Sequence, residues 1–251
     1  ADVSGRPRAD GTPLDVQRAW LGLLSCSSNA TDQVSGEPGQ APMASDATPN
    51  TRLVKRRSAT PPAVLCLEGE WEKSDPLDRL SIEPSLHLLE LQRYMRLVHR
   101  SVNTVEELDY HIAGMTHWRR RRYEVLYLTF HGSATGIDLG SSTVSLTDLA
   151  EKLRHQQPGF VIYFASCGVL DAEPSDLKAF CRESGAKAIA GYTRDVDWIE
   201  SAAFELLMPS SLLETTNIKP LHDRMVREHS RLTTKLGFRM AHSTWASELG
   251  S

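Results

Sequence analysis

The chain has 251 residues, with 28 Lys and Arg against 32 Asp and Glu for a net charge of −4, and is 40% hydrophobic and 24% charged. These are the proportions of an ordinary globular protein, so fibrous repeats and wholesale disorder are excluded, and the acidic balance argues against a nucleic-acid partner, which needs a basic surplus. No apolar run approaches the ~18 residues needed to cross a bilayer, so no membrane partner is expected.

Residues 1–62 are rich in Ala, Ser, Pro, Gly, Asp and Thr. They offer too little apolar surface to offset the entropy of ordering, and read as a low-complexity, flexible N-terminal extension. Residues 14–24 (LDVQRAWLGLL) stand out in it as a short helix or docking segment. An α/β domain is expected over residues 63–251. Residues 63–67 (AVLCL) form a short apolar run, and Glu68, Glu70 and Trp71 behind it read as the start of a surface loop, with the edge of a crevice at the strand ends as the alternative. Residues 85–98 have mostly helical spacing behind Pro84, and 96–102 read as the end of that helix running into a strand. Thr104 and Glu107 have the spacing of a capping box, opening a helix with Leu108, Ile112, Met115 and Trp118 on one face. Arg119 to Arg122 then read as a solvated helix C-terminus.

Residues 125–130 (VLYLTF) are the most strand-like run and stop at His131-Gly132. Ser145 and Asp148 start a helix with Leu149 and Leu153. A second apolar run, 160–165 (FVIYFA), ends at Ser166-Cys167-Gly168. A helix over 175–184 closes on Gly185, and 187–192 form another strand. Residues 198–208 read as an apolar helix stopped by Pro209, 221–236 as one charged amphipathic helix, and 238–243 as a last strand. Six strands alternating with about as many helices predict a mostly parallel sheet covered on both faces. The continuous apolar character of 125–130 and 160–165 puts those strands at its centre. No Gly-rich phosphate loop follows any strand.

Cysteines stand at 26, 66, 167 and 181, in no metal-ligand spacing. Free thiols in a reducing, cytoplasmic setting are expected, with no metal and no cofactor. Cys66 and Cys181, inside a strand and a helix, read as core residues. Cys167 differs. In open α/β sheets functional groups collect at the carboxyl ends of strands. If the two central strands are parallel neighbours, His131 and Cys167 face one crevice. A thiol must become a thiolate to attack a carbonyl, and a nearby imidazole takes that proton and later returns it to a leaving group. Glycine after each leaves room for substrate and N–H groups for a developing oxyanion.

The pattern strand–His131-Gly132, helix, strand–Ser166-Cys167-Gly168 resembles clan CD cysteine peptidases, the caspase-like fold that includes caspases, metacaspases, separase and CHAT proteins. Residues 185–204 are similar to the block that follows the cysteine in CHAT domains, where a Gly-Ala-x-Ala-Val strand leads to an acidic turn and a helix. The resemblance covers roughly residues 63–243. It implies that Cys167 is the nucleophile, His131 the general acid/base, and the backbone N–H groups of Gly132 and Cys167 the oxyanion hole. It also implies that Asp195 or Asp197 builds the pocket for the residue preceding the cleaved bond, where an acidic floor favours Lys or Arg. The chain departs from the Gln-Ala-Cys-Arg-Gly block of caspases and the Asp-Ser-Cys-His block of metacaspases, since it reads Ala165-Ser166-Cys167-Gly168-Val169.

The expected function is therefore a caspase-like cysteine endopeptidase acting on a protein or peptide substrate, together with an activating partner protein. A role in bacterial stress or antiviral defence follows only by analogy. The alternative is a catalytically silent interaction module docking a protein partner through its last strand or the N-terminal segment. A receiver- or flavodoxin-like module ranks behind both, since it lacks clustered carboxylates after the first strand.

Overall fold

A computed structural model describes residues 60–72, 80–117, 123–156, 158–214 and 217–248, all within the compact unit Lys55–Ser251. The expectations for residues 1–59, for Trp118 and for Arg119 to Arg122 lie outside the described residues.

The main sheet is formed by β1 (Ala63–Glu68), β2 (Arg96–Ser101), β3 (Tyr123–Thr129), β7 (Val161–Phe164), β8 (Ala188–Tyr192), β9 (Phe238–His242) and β10 (Trp245–Ala246). A small second sheet comprises β4 (Gly132–Ser133), β5 (Gly136–Leu139) and β6 (Ser142–Val144). The helices are α1 (Glu83–Leu91), α2 (Val105–His117), α3 (Leu146–Leu153), α4 (Pro174–Ser184), α5 (Trp198–Glu214), α6 (Ile218–Glu228) and α7 (Ser230–Leu236). The seven-stranded sheet has the order β10-β9-β8-β7-β3-β1-β2. Its first five strands in chain order pair in parallel, while β9 and β10 are antiparallel. Strands β1 and β3 are neighbours whose next connections leave in opposite directions, toward β2 and toward β7, so a topological switch point lies between them.

Successive side chains of β1 alternate between two cores. Ala63, Leu65 and Leu67 pack with Leu108 and Ile112 of α2, Leu149 of α3 and Leu177 of α4. Val64 and Cys66 pack with Leu86 of α1, Phe204 and Met208 of α5 and Leu221 of α6. The protein is thus a three-layer α/β sandwich, as the strand–helix alternation predicts. Cys66 and Cys181 are both buried, as expected of core thiols. Local signals act where they stand. Thr104 Oγ1 accepts from Glu107 N at 3.2 Å and Glu107 Oε2 accepts from Thr104 N at 3.2 Å, closing the capping box. Ser145 caps α3, and Gly185 ends α4 in the left-handed conformation at φ 73°.

Four features differ from the sequence expectation. The helical spacing continuing to residue 98 overshoots, since α1 ends at Leu91 and Arg96 already belongs to β2. The segment between His131 and Ser145 holds the β4–β5–β6 sheet, whose strands of two to four residues carry no readable alternation. Helix α5 runs through Pro209 to Glu214, because Phe204, Met208 and Leu212 on both sides of it are buried in one core and outweigh the lost backbone bond. The charged helix is two helices, broken at His229 with φ −128° and ψ 36°.

Candidate active site

Strands β3 and β7 are parallel neighbours, with Leu128 opposite Phe164, so the residues that follow them emerge side by side. Their ends are tied. Ala165 N donates to Leu128 O at 2.8 Å, and Phe130 N donates to the buried Ser166 Oγ at 3.1 Å. Gly69 N, at the end of β1, donates to Thr129 O at 2.9 Å. The glycines behind His131 and Cys167 let the two following segments touch. A Cβ on Gly132 would lie 2.9 Å from Cys167 O and 2.7 Å from Val169 Cγ2. Gly168, at φ 65°, holds a left-handed conformation that a larger residue resists, and its own Cβ position is 3.4 Å from Ser133 Cα.

His131 and Cys167 line one cavity of about 190 Å³, with Trp71, Ile82, Thr129, Ala165, Val196, Trp198, Ser201 and Glu205. It opens outside the carboxyl ends of β1, β3 and β7, beside the switch point. The exposed His131 places its Nε2 2.6 Å from the carbonyl oxygen of Trp71. A carbonyl only accepts, so Nε2 carries the hydrogen, and in the neutral ring Nδ1 is left with the lone pair. The Trp71 indole meets the His131 ring edge-on at 5.2 Å and the Trp198 ring at 4.9 Å, walling one side of the cavity. Cys167 is half-buried, and Val196 N donates to its sulfur at 3.5 Å.

Asp195 and Asp197 do not line this cavity. Asp197 caps α5, its Oδ1 accepting from Ile199 N and Glu200 N at 3.0 Å each. Asp195 is exposed. The acidic residue that lines the cavity is Glu205, about two turns further along α5 and almost wholly buried. Burial pushes its carboxyl up to about 7, against the pull of hydroxyl bonds from Tyr127 and from Tyr192 at 2.9 Å. Tyr163 and Tyr192 share a further hydroxyl contact at 2.8 Å.

Among the cavity residues, Trp198 and Glu205 escaped sequence reasoning, and Trp71 stood only as the alternative to a surface loop. Trp71 reads as loop because it stands 60 residues from His131. Trp198 reads as helix packing because it opens an apolar helix. Glu205 had a usable signal: it is a lone acid in the run Phe204-Glu205-Leu206-Leu207-Met208, and a carboxylate on an apolar helix face calls for a partner or a ligand. Among the described residues no group of His, Cys, Asp and Glu is arranged to hold a metal ion, and no helix is long and apolar enough to cross a membrane.

Fold and site together define an α/β sandwich that presents a thiol and an imidazole in one cleft at its switch point. A family model described as a family of unknown function (DUF6642) matches residues 62–242, and the chain belongs to that family. No curated protein matches. Among solved structures, the Drosophila initiator caspase Dronc is similar at a TM-score of 0.46 and 11% identity, covering 89% of this chain and 93% of that one.

Proposed function

We propose that the protein is a caspase-like cysteine endopeptidase that cleaves a protein substrate after a basic residue. The observation that carries this reading is the single cavity lined by both His131 and Cys167, with the imidazole held as its Nε2–H form by Trp71 O. In the proposed reaction Nδ1 takes the proton of the Cys167 thiol, and the sulfur attacks the peptide carbonyl carbon. The C–N bond then breaks as His131 returns the proton to the leaving amine, leaving a thioester on Cys167. Water attacks the thioester with His131 again as base. The acid leaves and the thiol is restored.

The oxyanion donors in this reading are the N–H groups of Gly132 and Cys167. Asp138 N donates to His131 O at 2.8 Å, which makes the neighbouring pair Gly132 and Ile137 a non-hydrogen-bonded one. The Gly132 N–H therefore turns away from β5. Gly168 N is already bound to Arg194 O at 3.1 Å and is not available for the task. The basic preference is assigned to Glu205 in place of Asp195 and Asp197. Glu205 lines the same cavity as Cys167, and the volume of about 190 Å³ accommodates one Lys or Arg side chain beside the paired tryptophans. A CHAT-type relationship belongs to this reading as an inference from the block at residues 185–204, and activation by a partner and a role in defence belong to it by analogy alone.

Cys167→Ala is the test. With a library of Lys- and Arg-containing peptides, the wild-type chain is expected to cleave and to be alkylated by iodoacetamide at Cys167, while the variant does neither and keeps its circular dichroism spectrum. Undiminished cleavage by the variant refutes the assignment. Alkylation of Cys167 in a chain that cleaves no peptide in the library would favour the silent module.

A further inference from the structure

Glu68, the last residue of β1, carries a buried carboxylate with four hydrogen-bond partners, three of them donors and the fourth an imidazole nitrogen. Its Oε1 accepts from Trp71 Nε1 at 2.9 Å and from Ile82 N at 2.8 Å. Its Oε2 accepts from Ser81 Oγ at 2.6 Å and faces His99 Nε2 at 2.7 Å. Burial pushes this carboxyl up, but the bonds from His99, Ser81, Trp71 and Ile82 outweigh it and leave it below the ordinary value. An ionised carboxylate only accepts. Two of the partners, Trp71 and Ser81, stand on either side of the connection between β1 and α1, so one side chain fastens both flanks of that connection to the end of β1. The fastened Trp71 is the residue whose carbonyl takes the His131 Nε2–H and whose ring abuts His131 and Trp198.

We propose that Glu68 is the positioning residue for His131: through the Trp71 indole it holds the Trp71 carbonyl against Nε2 and so keeps Nδ1 unprotonated toward the cavity. The role rests on the peptidase reading for its catalytic meaning but not for its structural content. Glu68 itself does not line the cavity and touches no substrate. Its effect is confined to which imidazole nitrogen carries the hydrogen and how firmly the ring is held, as second-sphere partners of histidines generally act.

The test pairs Glu68→Gln with Trp71→Phe and reads the His131 ring by two-bond proton–nitrogen NMR, assigned among the nine histidines by the signals lost in His131→Gln. Wild type is expected to show His131 as the Nε2–H tautomer at neutral pH. Glu68→Gln puts an NH₂ among the Glu68 partners, and Trp71→Phe removes only the indole bond, so both are expected to give a mixture of tautomers. With the peptide substrates, kcat should fall on the order of 10-fold or more in each variant while KM changes less than about twofold, since ring position acts in the transition state. A pure Nε2–H tautomer retained in folded Glu68→Gln overturns the proposal. If that variant does not fold, the same result in Trp71→Phe does so. The tautomer readout needs no turnover, so a wild-type chain without peptidase activity would sink the function and leave the positioning of His131 to be decided by the spectra.

Discussion

Glu205 shows what burial does to one carboxyl. It is closed off by Phe204, Met208 and the three tyrosines, and its proton is held up to about 7 against an ordinary 4.5. A carboxyl whose pKa is raised by folding binds its proton more tightly in the native state than in the unfolded chain. The stability associated with that proton is therefore complete below the unfolded value of about 4.5 and is lost as pH rises through about 7. Glu205→Gln cannot ionise and keeps partners for both tyrosine hydroxyls. Urea unfolding from pH 4.5 to 8.5 should show wild type losing stability relative to this variant, by an amount on the order of 3 kcal/mol at the alkaline end. Parallel curves across that range would show that Glu205 titrates normally. The same substitution bears on substrate choice. It should lower kcat/KM for a Lys peptide about 100-fold and leave that for a norleucine peptide within a few-fold, because only the charged side chain needs the carboxylate.

At the scale of elements, the site is made by three strand ends and the short hairpin that grows from one of them. Strand β4 presses on the Cys167 segment so closely that position 132 admits no side chain. Gly132→Ala would set a Cβ 2.9 Å from Cys167 O, a backbone atom that cannot step aside. The expected result is separation of β4 from the Cys167 turn, with loss of about 1–3 kcal/mol of stability in urea and a fall in peptide cleavage larger than the unfolded fraction explains. Cleavage unchanged in the variant would remove Gly132 from the oxyanion hole. These contacts also explain what could be read from the chain. The ends of β3 and β7 were legible because two uninterrupted apolar runs each stop at a Gly-flanked polar residue, and the starts of α2 and α3 because their caps are local, three residues apart. The walls of the cavity were not. Trp71 joins His131 across 60 residues, and Tyr127 joins Glu205 across 78, through pairings that no periodicity encodes. Asp197, in the turn after β8, is used by the start of α5, whereas the acid that lines the cavity arrives with the helix body. Pro209 misled because its cost is local and the core that overrides it is not.

At the scale of the whole molecule, one cation couples the turn that follows β7 to strands β9 and β10. Arg239 of β9 is fully buried and bonds carbonyl oxygens alone: Leu170 O at 2.9 Å and Ala172 O at 2.5 Å through Nη1, and Ser247 O at 3.0 Å through Nε. The first two carbonyls belong to the segment that leaves Cys167, and the third lies just beyond β10. Ser247 answers with its own hydroxyl, which accepts from Met240 N at 3.1 Å. The same segment is held from the other side by Gly168 N on Arg194 O and Leu170 N on Tyr192 O, at 3.1 and 3.0 Å. Arg239 thus joins two parts of the chain about 70 residues apart in sequence, and the turn that carries the thiol rests on β9, two strands from β7 in the sheet. Arg239→Met fills the volume but leaves two buried carbonyls and one partly buried one without their donor, at a cost of about 3 kcal/mol. If Arg239 acts as a staple, hydrogen exchange in the variant should accelerate first at the amides of Gly168 and Leu170, which open with the Cys167 turn, while those of β1 and β3 keep a higher protection. Cleavage should then fall further than the folded fraction does. A uniform loss of protection across all strands would mean that Arg239 contributes only to global stability and that the Cys167 turn and β9 are energetically independent.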